Sequence, residues 1–219
     1  MSTETSAPDP RGLATQDLES LATLTAQAPA KRIDRALELA RQLLGMELGY
    51  LTEFVGDEQI LRGVAGDSAS FDMTPGDGYP LDGTYCQRMV LGTIPQIITN
   101  TAENDELRDL AVTKLSAIGA YVGIPIYLSD GSMYGTMCAV SHEPHSDLGE
   151  RHLLLMKILS QFVAAGVEQQ RLEKDNTRLR AKMAAMQSDF DEFEEDRRVT
   201  RIMNSGEFRT IPRGTPPPE

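Results

Sequence analysis

Hydrophobic and polar positions alternate most regularly across residues 118–141, IGAYVGIPIYLSDGSMYGTMCAVS. Ala120, Val122, Ile124, Ile126 and Leu128 share one parity, and Tyr121, Gly123, Pro125 and Tyr127 share the other. A period of two is the signature of a strand. Asp130 and Gly131 supply a hairpin turn, and residues 134–141 are again β-branched, aromatic or small. Both parities are mostly apolar. That predicts a hairpin at the centre of a sheet, with something packed on each face.

The rest of the chain follows in order. Residues 14–28 set Leu18, Leu21 and Leu24 near one helical stripe, and Pro29 interrupts it. Residues 31–45 repeat the helical period through Ile33, Leu37, Ala40 and Leu44, with Ala36 beside them and Gly45 as the C-cap. Residues 48–55 and 59–65 read as a hairpin around Gly56, Asp57 and Glu58. Residues 66–83 carry four Gly and two Pro and read as loop. Thr84 N-caps a short helix that ends at Gly92, and residues 96–98 form a short strand. Residues 100–110 are a polar loop passing into a helix that lasts to about Ser116.

A long helix closes the chain. Asp147 is placed as its cap, with Glu150 three residues on. Residues 151–198 hold no Pro and one Gly, Gly166. Leu155, Phe162, Gln169, Asn176, Met183 and Phe190 recur as one heptad row, and Ile158, Ala165, Leu172, Leu179, Met186 and Phe193 as the other. The first row falls at a and the second at d. An Asn at a pairs with its own copy in a parallel dimer and penalises other registers. Asp175 at g and Arg180 at the next e can bridge the two chains, whereas Glu168/Glu173 and Asp189/Glu194 repel. The stripe over residues 170–195 has no further domain to cover it. A parallel homodimer through Leu172, Asn176, Leu179, Met183 and Met186 is therefore expected. The layout is a disordered tail at 1–12, an N-terminal helix at 13–29, a domain at 30–168, the coil at 169–198 and a mostly disordered tail at 199–219.

Composition narrows the function. The chain has 219 residues, 40% hydrophobic and 25% charged, enough to bury a core. A net charge of −12 argues against nucleic acid and anionic membranes as partners. No apolar run is long enough to span a membrane, and the polar N-terminus has no signal-peptide core, so a cytoplasmic location is expected. Two cysteines do not make a disulfide framework. His142, His145 and His152 fall in or just after a polar loop and read as exposed, not as metal ligands. Glu103, Asp105 and Glu106 read as a solvated helix start. No phosphate loop, dinucleotide fingerprint or nucleophile elbow is present.

The order of elements resembles a GAF domain, the small-molecule sensor module of bacterial signalling proteins. The matching segments are ALELARQLLGMELGYLTEF, YCQRMVLGTIPQII, IGAYVGIPIYLSDGSMYGTMCAVSHEP and the helix after them, covering about residues 30–170. The resemblance implies an α/β (α+β) fold: an antiparallel sheet with helices on both faces, followed here by the long coiled-coil helix. It is closest to GAF domains that precede EAL cyclic-di-GMP phosphodiesterase domains. RRVTRIMNSGEFRTI looks like the helix leading into an EAL domain, but the chain then ends in PRGTPPPE, with no room for that barrel. None of its activity is carried over.

The resemblance also implies a pocket between sheet and short helices. Its candidate liners are Tyr85, Cys86, Tyr121, Thr136 and Cys138, with Asp77, Asp82 and Arg88 reaching its mouth. Tetrapyrrole-binding members attach the pigment through Cys, often Cys-His, just before the first hairpin strand, and RDLAVTKLSAIGAY has neither. The NKxxF-type signature of cyclic-nucleotide members is missing. Methionine-sulfoxide reductases of this fold need pre-strand cysteines and last-strand carboxylates, where this chain has Cys138 and Val140. The expectation is a non-enzymatic regulatory module without a cofactor. It would bind an unidentified small molecule or a signalling protein partner and act through the dimeric helices. The alternatives are a thiol-based redox sensor or reductase using Cys86 and Cys138, or a ligand-free dimerisation module left from a GAF–EAL protein.

Overall fold

The alternating segments become six strands, all paired antiparallel. A computed structural model describes residues 15–204, with side chains from residue 19 onward. β1 (Leu48–Val55), β2 (Glu58–Gly66), β3 (Gly78–Pro80), β4 (Ile97–Ile98), β5 (Ala120–Tyr127) and β6 (Met133–Ser141) form one sheet in the order β3-β2-β1-β6-β5-β4. The β5–β6 hairpin thus lies inside the sheet. Gly131 takes φ 82° in its turn, a value that suits a residue without Cβ. In register, Tyr50 faces Cys138 and Cys138 faces Gly123, while Thr52 faces Thr136 and Thr136 faces Pro125.

Each sheet face has its own buried layer, as the apolar content of both parities requires. Leu51, Val122, Ile124, Ile126, Met137 and Ala139 pack with α2 (Pro29–Leu44) and the first turns of α5 (Glu150–Asn204). Leu48, Tyr50, Tyr121, Cys138 and Val140 pack on the other side with Tyr85, Cys86 and Met89 of α3 (Tyr85–Val90) and with Phe71, Leu107 and Ile118. Gly45 ends α2 in the left-handed region at φ 68°. Thr84 caps α3 by accepting from the Gln87 N–H at 3.1 Å.

Three local expectations are corrected. The Gly/Pro-rich loop contains a strand, β3, because Leu61 N–H donates to Asp77 O and Leu81 N–H to Asp57 O, both at 2.9 Å, tying the segment along β2. Pro80 is tolerated there because β3 is an edge. Residues 100–110 are a loop, with a 3-10 turn at Thr101–Glu103 capped by the Asn100 side chain, that passes into α4 (Ala111–Leu115) as expected. Pro29 separates α1 (Thr15–Thr23) and a 3-10 turn at Leu24–Ala26 from α2 and opens α2 at its first turn, where its missing N–H costs nothing. The long helix starts at Glu150, so Asp147 is not its cap. Gly149 N–H donates to His152 Nδ1 at 3.1 Å, and the imidazole fills the place a capping-box Glu would take. His152 is correspondingly buried, not in an exposed loop.

Met156, Leu159, Val163 and Val167 form the buried stripe of α5. Gly166 sits in it because a Cβ there would meet Ile33 Cγ1 of α2 at 2.9 Å. The residues up to Gln170 make one compact unit, and those from Arg171 a second. In the second unit the helix is exposed all round and continues through Arg198 to Asn204. The tail at 1–12 and the part of the 199–219 tail beyond Asn204 lie outside the described residues. No helix among the described residues is long and apolar enough to cross a membrane.

Candidate functional site

A cavity of about 640 Å³ opens on the sheet face opposite α2 and α5. Its floor is Tyr50, Gln59 and Leu61 of β1 and β2. Phe71, Met73, Tyr79 and Pro80 wall one side, Tyr85 and Cys86 of α3 another, and Leu110 to Val112, Leu115 and Ile118 a third. The walls are local consequences of the folding described above. The 66–83 segment can arch over β2 because Gly76 N–H donates to Leu61 O at 2.8 Å, and Tyr79 hydrogen-bonds Asp77 Oδ2 at 3.3 Å. Phe71 is held by stacking on His142 at 4.0 Å, with the His142 ring bridging Ala117 O at 3.0 Å and Ser70 Oγ at 3.1 Å. Both nitrogens of that ring are engaged within the protein, which leaves neither free for a metal. α4 covers the third side without burying any of its own residues, and Leu115 is 86% exposed.

Most of the lining is apolar, so its polar groups set the chemistry. Gln59 is 8% exposed, and its Oε1 has no hydrogen-bond partner. A buried amide left unsatisfied costs about 1–3 kcal/mol, which a ligand donor would relieve. Among the described residues, Asp72 and Asp82 are the charged liners and no Lys or Arg lines the cavity. Burial raises the Tyr85 phenol pKa, partly offset by its 2.5 Å hydrogen bond with Thr113, and so keeps it neutral.

Of the residues singled out from the sequence, Tyr85, Cys86 and Asp82 line this cavity. Tyr121, Thr136 and Cys138 lie beneath it, each fully buried in the sheet layer. Cys86 Sγ and Cys138 Sγ are 3.6 Å apart, with the Tyr121 hydroxyl and Thr136 Oγ1 each 3.4 Å from the Cys138 sulfur. Hydrogen bonding with Cys138 holds the Cys86 thiol below its ordinary pKa against the opposing effect of burial, while burial pushes Cys138 well above. Arg88 is not among the lining residues and approaches Glu106 at 4.0 Å, and Asp77 braces the covering loop through Thr74 N–H and Tyr79. Gln59 was not among the sequence candidates. In the sequence it is one polar residue of a strand, and its burial depends on a segment that packs over β2 from residues 66–83.

An antiparallel sheet with helices on both faces, and a roofed, largely apolar cavity between the sheet and the short helices of one face, is the architecture of a small-molecule-binding sensory domain. A family model of the GAF domain matches residues 26–168, and the chain belongs to that family, whose members are generally sensory rather than catalytic. Three solved structures share the fold. The phycocyanobilin-bound GAF domain from a cyanobacterial phytochrome is 16% identical with a TM-score of 0.58, over 74% of this chain and 98% of that one. A phycoerythrobilin-bound GAF domain from a cyanobacterial phytochrome is also 16% identical, with a TM-score of 0.56 over 74% and 100%. The GAF domain from Acinetobacter phosphoenolpyruvate-protein phosphotransferase is 9% identical, with a TM-score of 0.57 over 73% and 97%. No curated protein matches the chain.

Proposed function

We propose that this GAF domain is a non-enzymatic cytoplasmic sensor of a neutral or cationic small molecule. The ligand has a largely apolar body and presents one hydrogen-bond donor to Gln59. The observation that carries this reading is the unpartnered Oε1 of a nine-tenths buried Gln59 in the wall of a cavity of about 640 Å³. Asp72 and Asp82, the charged residues on the lining among the described residues, disfavour an anion. Some structural neighbours hold open-chain tetrapyrroles. The pre-strand segment here lacks the cysteine to attach one.

Output passes to α5. Cys138 contacts the α3 wall of the cavity, and its neighbours Met137 and Ala139 belong to the layer shared with α5. A ligand that prefers one arrangement of that layer shifts the population of helix arrangements. The helices pair as a parallel coiled coil, and a second signalling protein reads the change. Heptad spacing and exposed Leu172, Leu179, Met183 and Met186 support the coil. The resemblance of RRVTRIMNSGEFRTI to the helix before an EAL domain supports a role in cyclic-di-GMP signalling.

Two dyes with one skeleton test the pocket. N-phenyl-1-naphthylamine is neutral with one N–H donor, and 8-anilinonaphthalene-1-sulfonate adds a sulfonate. The neutral dye is expected to bind saturably, with Gln59→Leu weakening it roughly three- to tenfold, the worth of one hydrogen bond. The sulfonate is expected to bind more weakly. Equal binding of both dyes, indifferent to Gln59→Leu, would overturn the ligand class. Absence of saturable binding by either would overturn the pocket.

A further inference from the structure

We propose that Cys86 and Cys138 form a peroxide-oxidisable dithiol site that closes to an intramolecular disulfide between α3 and β6. Three observations converge on it. The two sulfurs are 3.6 Å apart in the fold, although 52 residues separate them in sequence. A disulfide needs about 2.05 Å, so the remaining approach is within reach of a side-chain rotation or a small shift of α3. α3 is only six residues long, so such a shift displaces one short element.

The second observation is access. Both cysteines are buried, Cys86 at 1% and Cys138 at 0% exposure, but only Cys86 is a lining residue of the cavity. A small neutral peroxide can enter a space of about 640 Å³ and come up against Cys86, with Cys138 behind it. This assigns the roles: Cys86 is attacked first and Cys138 resolves.

The third is the surroundings. A pair of thiols packed only among hydrocarbon would remain protonated and inert. Here the Tyr121 hydroxyl and Thr136 Oγ1 each lie 3.4 Å from the Cys138 sulfur, and Thr136 is itself 2.8 Å from Thr52 Oγ1. The Cys138 thiol, 3.6 Å from the Cys86 sulfur, favours a thiolate at Cys86, while the Tyr121 and Thr136 hydroxyls fix the Cys138 sulfur in place and burial keeps the Tyr50 and Tyr121 phenols protonated.

The chemistry balances with a peroxide as oxidant. The Cys86 thiolate attacks one peroxide oxygen, the O–O bond breaks, and Cys86 becomes a sulfenic acid while hydroxide leaves. The hydroxide takes the Cys138 proton and becomes water. The Cys138 sulfur attacks the Cys86 sulfur, the S–O bond breaks, and the second hydroxide is protonated to water. Two thiols lose two electrons and one peroxide is reduced to two waters. The site stands whether or not the cavity holds a ligand. Closing it draws the α3 wall, which also carries Tyr85, towards the sheet and so reshapes the cavity.

The test uses the reduced full chain treated with hydrogen peroxide at neutral pH, then denatured in N-ethylmaleimide for intact-mass and peptide analysis. The expected product is monomeric by chain, loses two hydrogens, carries no maleimide, yields a Cys86–Cys138 linked peptide and reverts with dithiothreitol. Cys138→Ser is expected to trap a dimedone adduct at Cys86. Cys86→Ser is expected to leave Cys138 unreacted, or slower by roughly tenfold or more. Two maleimides on the treated wild type would overturn the proposal, whatever the variants do, and so would cross-linking only between chains. Dimedone capture at Cys138 as fast as at Cys86 would overturn the assignment of roles.

Discussion

Tyr121 occupies the space that a side chain at Gly123 would need: a Cβ at position 123 would lie 2.0 Å from the Tyr121 hydroxyl oxygen. The two residues share one face of β5, two positions apart, and the Tyr121 ring leans along the strand instead of standing off it. From there it meets Tyr85 edge-on at 5.1 Å and reaches the Cys138 sulfur. Gly123 is therefore what lets the floor beneath the cavity be aromatic. Gly123→Ala is expected to cost about 1–3 kcal/mol by overpacking, measured by urea unfolding. Adding Tyr121→Phe should recover only part of the loss, because ring carbons would still lie 2.5 and 3.0 Å from the new methyl.

A second buried pair gives a sharper cycle. Thr52 and Thr136 are fully buried, and their hydroxyls are 2.8 Å apart across β1 and β6. Thr136→Val strands the Thr52 hydroxyl, which keeps only a 3.4 Å contact to Thr136 O, and also removes a partner of the Cys138 sulfur. The single substitution is expected to cost about 1–3 kcal/mol, and the Thr52→Val/Thr136→Val double substitution less than the sum of the two singles. Additive losses would mean that the hydroxyls do not act as a pair.

These pairs explain which parts of the molecule the sequence could disclose. Tyr121 and Gly123 lie on one strand whose period of two is local, so their common face was readable from parity alone, whereas the place of Cys138 opposite Gly123 comes from the β5–β6 register. The caps at Gly45 and Thr84 were readable for the same reason, each depending on residues within one turn. Gln59 was not readable, because its burial comes from Asp77 and Tyr79, which tie the 66–83 segment over β2. β3 was hidden likewise, since Gly78 and Pro80 on either side of Tyr79 are poor strand formers and the segment is held by its pairing with β2. The start of α5 was misread because an imidazole at His152, not a carboxylate, meets the Gly149 N–H.

His152 makes stability depend on acidity. Burial lowers its pKa, Arg151 adds to this, and Asp147 opposes it. Its Nδ1 accepts a hydrogen bond, so the folded state favours the neutral ring. A histidine with a depressed folded pKa contributes stability above its unfolded value of about 6.5 and loses it as pH falls through that value towards the folded one. The melting temperature is expected to fall between about pH 7 and 5, with this one proton contributing at most about 1.4 kcal/mol per pH unit. His152→Asn keeps an acceptor near Gly149 but does not titrate, so it should fall less over that window. Parallel curves for the two proteins would remove His152 from the account.

The exposed stripe of α5 leads to the final expectation. Leu172, Leu179, Met183, Met186, Phe190 and Phe193 are each between 58% and 70% exposed in the single chain. That much apolar surface in heptad register fits a second copy of the same helix. Light scattering is expected to give a dimer, which Leu172→Glu/Leu179→Glu converts to monomer while circular dichroism keeps the sheet signal. A monomeric wild type would reject the coil outright. Orientation is read by cysteines at a positions: separate Gln169→Cys and Met183→Cys variants should each cross-link to their own copies only if the helices run parallel and in register. Asn176 should matter for specificity and not for strength. Asn176→Leu is expected to raise the melting temperature of the dimer while admitting other oligomers, because it removes the buried amide pair that penalises them.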